Sequence, residues 1–225
     1  MKIAVIGAGI SGLVTANKLA KDFAVTVFEK ARGVGGRMST RSAVDLQFDH
    51  GAQHFVAKSA VFQNFLQDLE SKKIVARFDA DFCEINNYKI THRIKWSKDY
   101  PHYVATPKMN SLCKYLAQNL TVKTQTPVKN IFAKNNQWQL FDEENNDLGI
   151  FDWVICSAPA KQTIDLMPEN FVHLSRVKKT KMLGCFALML AFDRSLPIDW
   201  QMALVKNSKI SWISLDSAKP QRSQS

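Results

Sequence analysis

Lys2-Ile3-Ala4-Val5-Ile6-Gly7-Ala8-Gly9-Ile10-Ser11-Gly12 opens the chain, and Ala24-Val25-Thr26-Val27-Phe28-Glu29 follows after one helical length. Lys2 to Ile6 is a short apolar run rich in β-branched residues. Residues 10–20 then place Ile10, Leu13, Val14, Ala16 and Ala20 at helical spacing. The pattern predicts a strand, a tight turn, a helix and a second strand, closed by a carboxylate seventeen positions after Gly12.

The residue types explain that spacing. Gly7 permits the tight turn, Gly9 lacks the Cβ that would keep a pyrophosphate away, and Gly12 lets helix and strand approach closely. Phosphates would sit at the helix N-terminus, where unpaired N–H groups and the positive end of the helix dipole favour an anion. Glu29 is placed to accept ribose hydroxyls. The competing reading is a plain β-turn-α packing loop. No signal peptide is expected, because Gly9, Ser11 and Gly12 interrupt the apolar core and cleavage would remove a complete phosphate turn. No run reaches the eighteen or more apolar residues of a membrane span, so a cytoplasmic protein with no membrane partner is expected.

A chain of 225 residues, 46% hydrophobic, can bury a substantial core. Cys83, Cys113, Cys156 and Cys185 lie 30, 43 and 29 residues apart, which matches no metal-ligand spacing. Reduced thiols and no metal are expected. The formal charge of +10 is compatible with phosphate-bearing ligands, but its lysines and arginines are scattered, so nucleic acid is not an expected partner.

Behind Glu29 runs Lys30-Ala31-Arg32-Gly33-Val34-Gly35-Gly36-Arg37-Met38-Ser39-Thr40-Arg41, too rich in glycine and arginine for a regular element. It reads as an anion-binding loop, since glycine admits a close approach and guanidinium forks match phosphate oxygens, or as a flexible basic surface loop. Phe48-Asp49-His50-Gly51-Ala52-Gln53-His54-Phe55 reads as a strand end and turn, with His50, His54 and Asp49 leaving a metal reading open.

Taken together, the glycine turn, the glutamate-ended strand and Gly35-Gly36-Arg37 resemble the flavin-dependent amine oxidase and phytoene desaturase superfamily. With Phe48 to Phe55 added, the chain is most similar to its renalase-like bacterial flavoproteins. The resemblance implies non-covalent FAD. Ser11 and Arg37 would lie near the pyrophosphate and Glu29 on the adenosine ribose, with Gly7, Gly9, Ile10, Gly12, Lys30, Gly36 and Met38 as further cofactor-binding residues. Gly51, Ala52, Gln53 and His54 would run beside the flavin ring. It further implies hydride transfer from a small substrate to the flavin, with dioxygen as reoxidant. Dihydronicotinamide isomers are the implied donors, with amines as the runner-up class. No catalytic residue is identified, and the oligomeric state is left open.

Further along, Ser59 caps an expected helix through Glu70, with Val61, Phe62, Phe65, Leu66 and Leu69 as one stripe. Residues 74–105 read as short strands carrying Phe78, Phe82, Tyr88, Trp96, Tyr100 and Tyr103, either a substrate-covering wall or ordinary β packing. Thr106-Pro107 reads as a helix start. Pro127 to Ile131 reads as a returning strand, and the resemblance makes Val128 a contact for the adenine end of FAD. The strand Phe151 to Cys156 ends in Ser157-Ala158-Pro159, and the resemblance places Ala158 and Pro159 at the border of FAD. Met182 to Phe192 reads as a long strand, Ala203 to Leu215 as a hairpin, and Ser217 to Ser225 as a polar tail.

The expected fold is α/β, with a Rossmann-like FAD-binding domain at 1–57 and 106–165 and a β-rich substrate domain at 58–105 and 166–225. The superfamily carries a late Gly-Asp segment and a final helix at the flavin. No Gly-Asp dipeptide occurs here. An incomplete FAD-binding domain in a truncated chain is therefore expected. The alternatives are a catalytically incompetent homologue that keeps part of the nucleotide site, and an NAD(P)-linked enzyme without flavin.

Overall fold

A computed structural model describes residues 1–43 and 46–222. The elements in chain order are β1 (Lys2–Ile6), α1 (Ile10–Leu19), β2 (Ala24–Phe28), β3 (Arg41–Ala43), β4 (Leu46–Phe48), β5 (Phe55–Val56), α2 (Ala60–Ser71), β6 (Val75–Arg77), β7 (Asp81–Asn86), β8 (Lys89–Lys95) and β9 (His102–Ala105). Then come α3 (Ser111–Ala117), β10 (Thr121–Lys123), β11 (Val128–Lys134), β12 (Gln137–Asp142), β13 (Asp147–Phe151), β14 (Trp153–Cys156), α4 (Ala160–Leu166), α5 (Leu174–Lys178), β15 (Met202–Lys206) and β16 (Trp212–Ser214). The chain adopts the expected α/β class, a Rossmann-like domain with additional β-sheets. It divides into two compact units, Met1–Met38 with Cys113–Phe186 and Ser39–Leu112 with Ala187–Ser225.

The first unit is built on a parallel sheet of order β10-β2-β1-β14. The central strands β1 and β2 bury both faces, as parallel strands do. Ala4, Ile6 and Phe28 form one core with Ile131, Leu140 and Phe151 of the antiparallel β11-β12-β13 meander. Phe28 meets Phe151 edge to face at 5.7 Å. Val5 and Val27, on the alternate pleat, are also fully buried. Helix α1 packs on β1 and β2 through Leu13 and Ala16. The Asn17 amide donates to the Leu116 carbonyl at 2.6 Å, fixing the far end of α1. Asn135 and Asn136 both have positive φ and make the tight β11–β12 turn.

The second unit contains the sheet β16-β15-β7-β8, the sheet β5-β9-β6 and the β3–β4 hairpin. The expected hairpin is present as β15 and β16, and β15 also pairs with β7 in parallel. Helix α2 starts where Ser59 predicts, with the Ser59 hydroxyl accepting the Phe62 N–H at 3.3 Å. Leu66 and Leu69 are its buried contacts, while Val61 faces solvent.

Three expectations fail. Met182 to Phe192 is not a strand and joins no sheet; Leu183 and Phe186 are 94% and 101% exposed. An apolar β-prone run becomes a strand only when a neighbour takes its N–H and C=O groups, and no described strand pairs with this one. Thr106-Pro107 does not start a helix, since α3 begins at Ser111. Thr106 instead donates its hydroxyl to the Lys73 carbonyl and its N–H to Ile74. Finally, Asp216 to Arg222 is not a polar tail: Asp216–Ala218 is one 3-10 turn and Lys219 is buried. Ser223 to Ser225 lie outside the described residues.

Candidate functional site

In the first unit, strand β1 delivers its chain directly into the glycine turn, where the Gly7 N–H donates to the Phe28 carbonyl at 2.8 Å. Gly7 needs its glycine, with φ of +100°. Helix α1 begins after Gly9 with no side-chain cap and no acidic residue in its first turn. Its first N–H groups, at Ile10, Ser11 and Gly12, therefore lack the usual local acceptor and form a positive helix end. A Cβ placed on Gly9 would meet nothing within 4 Å, so the turn opens onto free space there. At Gly12 the opposite holds: a Cβ would lie 2.1 Å from the Gly7 carbonyl oxygen.

The second glycine loop folds onto this turn. The Gly35 N–H donates to the Ala8 carbonyl at 2.9 Å, and Gly9 and Gly35 form a β-bridge. A Cβ on Gly36 would stand 3.3 Å from the Gly9 Cα. The Met38 N–H closes the loop onto the Gly35 carbonyl at 2.9 Å, and Met38 is buried. Lys30 and Arg37 are exposed.

Glu29 has a role that sequence reasoning missed. It is 7% exposed, and its carboxylate accepts the Ala8 N–H at 2.8 Å and the Ala31 N–H at 2.9 Å. The carboxylate thus buckles the end of β2 to the phosphate turn. A carboxylate has about four acceptor positions, so two N–H bonds leave capacity for hydroxyl groups. Ser157 was also missed. Its hydroxyl donates to the Ile6 and Gly7 carbonyls at 3.1 and 3.0 Å, bringing Ala158 and Pro159 beside the turn as α4 begins. The small residues closing β14 were the signal. Val128 packs against the Phe28–Phe151 core, and the Thr126 N–H donates to the Glu29 carbonyl at 2.9 Å. One corner of the unit thus gathers the glycine turn, Glu29, Gly35 to Met38 and Ser157 to Pro159.

In the second unit, Gly51 to His54 form a turn whose Gln53 amide folds back on the Asp49 and Gly51 carbonyls. His54 lies in an aromatic cluster with Trp96, His102 and Trp212, at centroid distances of 4.8, 5.1 and 5.4 Å. Trp96 stacks on His102 at 3.6 Å and on Phe82 at 5.9 Å, while Phe78 meets its edge. Of the expected aromatic residues, Phe78, Phe82 and Trp96 therefore pack together, joined by two histidines and Trp212. Tyr88 is fully exposed, and Tyr103 stacks on Phe55 instead. His54 Nδ1, His102 Nδ1 and Trp212 Nε1 are buried without a hydrogen-bond partner, which is costly for polar atoms.

Burial pushes the His54 pKa down to about 4, helped by His102 and Lys219, and burial lowers His102 also. Both imidazoles are therefore neutral at pH 7. Between pH 6.5 and about 4 the unfolded chain binds the proton that folded His54 refuses, so stability falls as pH drops through that window. The slope is at most about 1.4 kcal/mol per pH unit for one proton, reduced by the partial exposure of the ring. Urea unfolding between pH 7 and pH 4.5 should show it, and His54→Phe should flatten it. A slope unchanged in that variant would remove His54 as the cause.

The metal reading finds no support in the side-chain arrangement. Asp49 is engaged by cations, and His50 Nε2 lies 3.1 Å from the Ser39 hydroxyl. Among the described residues no three His, Cys, Asp or Glu side chains converge. Among the described residues no helix is long and apolar enough to cross a membrane.

Comparison with known proteins agrees with this geometry. The model of the NAD(P)-binding Rossmann-like domain matches residues 5–69. Mouse renalase is 24% identical over 241 aligned positions, covering 97% of this chain and 67% of that protein. The 4,4'-diapophytoene desaturase (4,4'-diaponeurosporene-forming) of Staphylococcus haemolyticus is 52% identical over 99 residues, 40% of this chain and 20% of its own length. The crystal structure of a candidate protoporphyrinogen oxidase from Exiguobacterium superposes with a TM-score of 0.68 at 12% identity, over 94% of this chain and 72% of that one, which shows the fold. With an uncapped helix end facing open space and an acceptor-rich Glu29 beside it, the chain is similar to flavoproteins of the amine oxidase superfamily, and these likenesses support an FAD-dependent oxidoreductase.

Proposed function

We propose that the protein oxidises a small, planar hydride donor, a dihydronicotinamide isomer in the first instance and an amine as the second class, with dioxygen as the final acceptor. The observation that carries this reading is the open phosphate turn locked to both Glu29 and the Gly35–Gly36 loop. Bound FAD would supply the hydride acceptor and the route of electrons to dioxygen, with hydrogen peroxide as product.

The residues divide the remaining work. Gly7, Gly9, Ile10, Ser11 and Gly12 would take the pyrophosphate on backbone N–H groups, with Gly36, Arg37 and Met38 lining the second loop. Glu29 would accept ribose hydroxyls with Lys30 flanking, Val128 would meet the adenine, and Ala158 and Pro159 would border the cofactor. In the second unit, Gly51, Ala52, Gln53 and His54 would form the flavin-side turn. The aromatic cluster supports a planar donor: it offers ring faces, unpaired Trp212 and histidine nitrogens, and a dry environment. Neutral imidazoles suit hydride transfer, which requires a stacked donor more than an acid.

Absorbance of the purified chain after incubation with excess FAD tests the reading: retained flavin bands are expected, and a colourless protein sinks it. Glu29→Gln should weaken FAD affinity by roughly tenfold or more, because a charged acceptor is worth about 1.5–3 kcal/mol. The amide would also turn one N–H donor toward Ala8 or Ala31, whose own N–H groups need acceptors. Unchanged affinity in that variant would remove Glu29 from the ribose site.

A further inference from the structure

Within the second unit, one end of the described chain is fastened to the turn at Asp49 by a cluster of buried charges. Lys219 and Asp49 have fully buried side chains, and the Arg222 side chain is 4% exposed. Lys219 Nζ donates to Asp49 and to Gln53 Oε1, each at 3.1 Å, and to Asp216. Arg222 donates to Asp49 at 2.5 Å and to the Ala105 carbonyl at 3.0 Å. The Asp49 N–H donates to Asp216 at 2.7 Å, and the Asp49 carboxylate also accepts from Thr40 at 2.6 Å and from the Met109 N–H at 3.0 Å. Two carboxylates and two cations balance, joined across 166 to 173 positions of sequence.

Apolar side chains of similar volume would fill this space at a lower desolvation cost, so core stability does not by itself call for buried ions. What an apolar core could not supply is orientation. The Gln53 amide is fixed at both ends: its NH2 donates to the Asp49 and Gly51 carbonyls and its oxygen accepts from Lys219. With its side chain committed inside the turn, Gln53 shapes residues 51–54 rather than reaching outward.

We propose that Lys219 and Arg222 are positioning residues that hold the Gly51–His54 turn, through Asp49 and Gln53, in the one conformation that receives the flavin. This rests on the flavin-side reading of that turn. Neither residue touches the cofactor; both act through the loop.

The test uses the full chain and three variants, Lys219→Met, the double variant Asp216→Asn with Lys219→Met, and Arg222→Lys. Thermal unfolding, amide hydrogen exchange of residues 49–54 and FAD titration are measured on each. Lys219→Met leaves Asp216 without its cation and should lower the melting temperature, and the double variant, which removes that pair and leaves Arg222 on Asp49, should recover most of it. The double variant should nevertheless keep exchange in 49–54 about tenfold faster and FAD affinity about tenfold weaker, the size of one charge-assisted hydrogen bond. Recovery of FAD affinity together with stability would overturn the proposal, since the cluster would then be structural only. Exchange at the wild-type rate would overturn it as well, because Lys219 would not be holding the loop. Faster exchange with unchanged FAD affinity would overturn the link to the flavin while leaving the phosphate turn standing. Should the double variant not fold, Arg222→Lys carries the same readouts: it keeps the charge but cannot span both Asp49 and the Ala105 carbonyl.

Discussion

Gly12→Ala should cost the chain about two orders of magnitude in FAD affinity and a measurable part of its stability. The added methyl would stand 2.1 Å from the Gly7 carbonyl oxygen and 2.6 Å from the Ser157 hydroxyl. Neither neighbour can swing aside freely. The Gly7 carbonyl is backbone at a φ of +100°, and it accepts the Ser157 hydroxyl at 3.0 Å. The start of α1 must therefore lift off β1, at an overpacking cost of about 1–3 kcal/mol. The same displacement misaligns the N–H groups that would meet the pyrophosphate, so the loss is felt twice in affinity. Gly9→Ala is the matched control. Its Cβ meets nothing in the protein and its φ of −74° suits alanine, so stability should change by no more than about 1 kcal/mol while FAD affinity falls. Equal FAD affinity in Gly9→Ala and the wild type would show that the space before the turn is not where the phosphates lie.

What could be read from sequence follows the range of the interactions. The parallel core of β1, α1 and β2 was legible because its signals are local: β-branched runs, helical spacing and glycines within thirty residues fix it. The contact between Gly9 and Gly35 was legible only through the juxtaposition of two glycine loops in the chain, and the structure closes them with a β-bridge. Ser59 announced α2 correctly because a cap is a three-residue interaction. Met182 to Phe192 misled because β-propensity says that a segment fits a sheet, not that a partner exists. Thr106-Pro107 misled in the same way: the dipeptide allows a helix start, yet Thr106 is claimed by the Lys73 carbonyl, thirty-three positions earlier. Glu29 was found for its charge, but its two bonds to backbone N–H groups depend on the turn being folded around it. The charged cluster about Asp49 was illegible for the strongest form of this reason. Nothing in Ser217-Ala218-Lys219-Pro220-Gln221-Arg222 distinguishes buried cations from a solvated tail until the Asp49 turn is placed against them.

Asp49→Ala should accordingly be the most damaging single change in the second unit, destabilising the protein by about 3–5 kcal/mol, the cost of leaving buried charge without its partner. It would strand Lys219 and Arg222 against Asp216 alone and remove the acceptor of the Thr40 hydroxyl and the Met109 N–H. The exposed pairs Lys72–Asp68 and Lys206–Glu84 have comparable or shorter distances but stand in water, so Asp68→Ala and Glu84→Ala should each cost under about 1 kcal/mol. Burial alone would raise the Asp49 pKa, but Lys219, Thr40 and Arg222 together outweigh it and hold the carboxyl below its ordinary 3.8. The folded state thus binds this proton less readily than the unfolded chain. The stability contributed by Asp49 is complete above pH 3.8 and is lost as pH falls toward the lower folded value. Urea unfolding followed by tryptophan fluorescence at pH 7 checks the magnitude, and a loss below 1 kcal/mol would mean that Asp49 is not the charge on which the cluster is balanced.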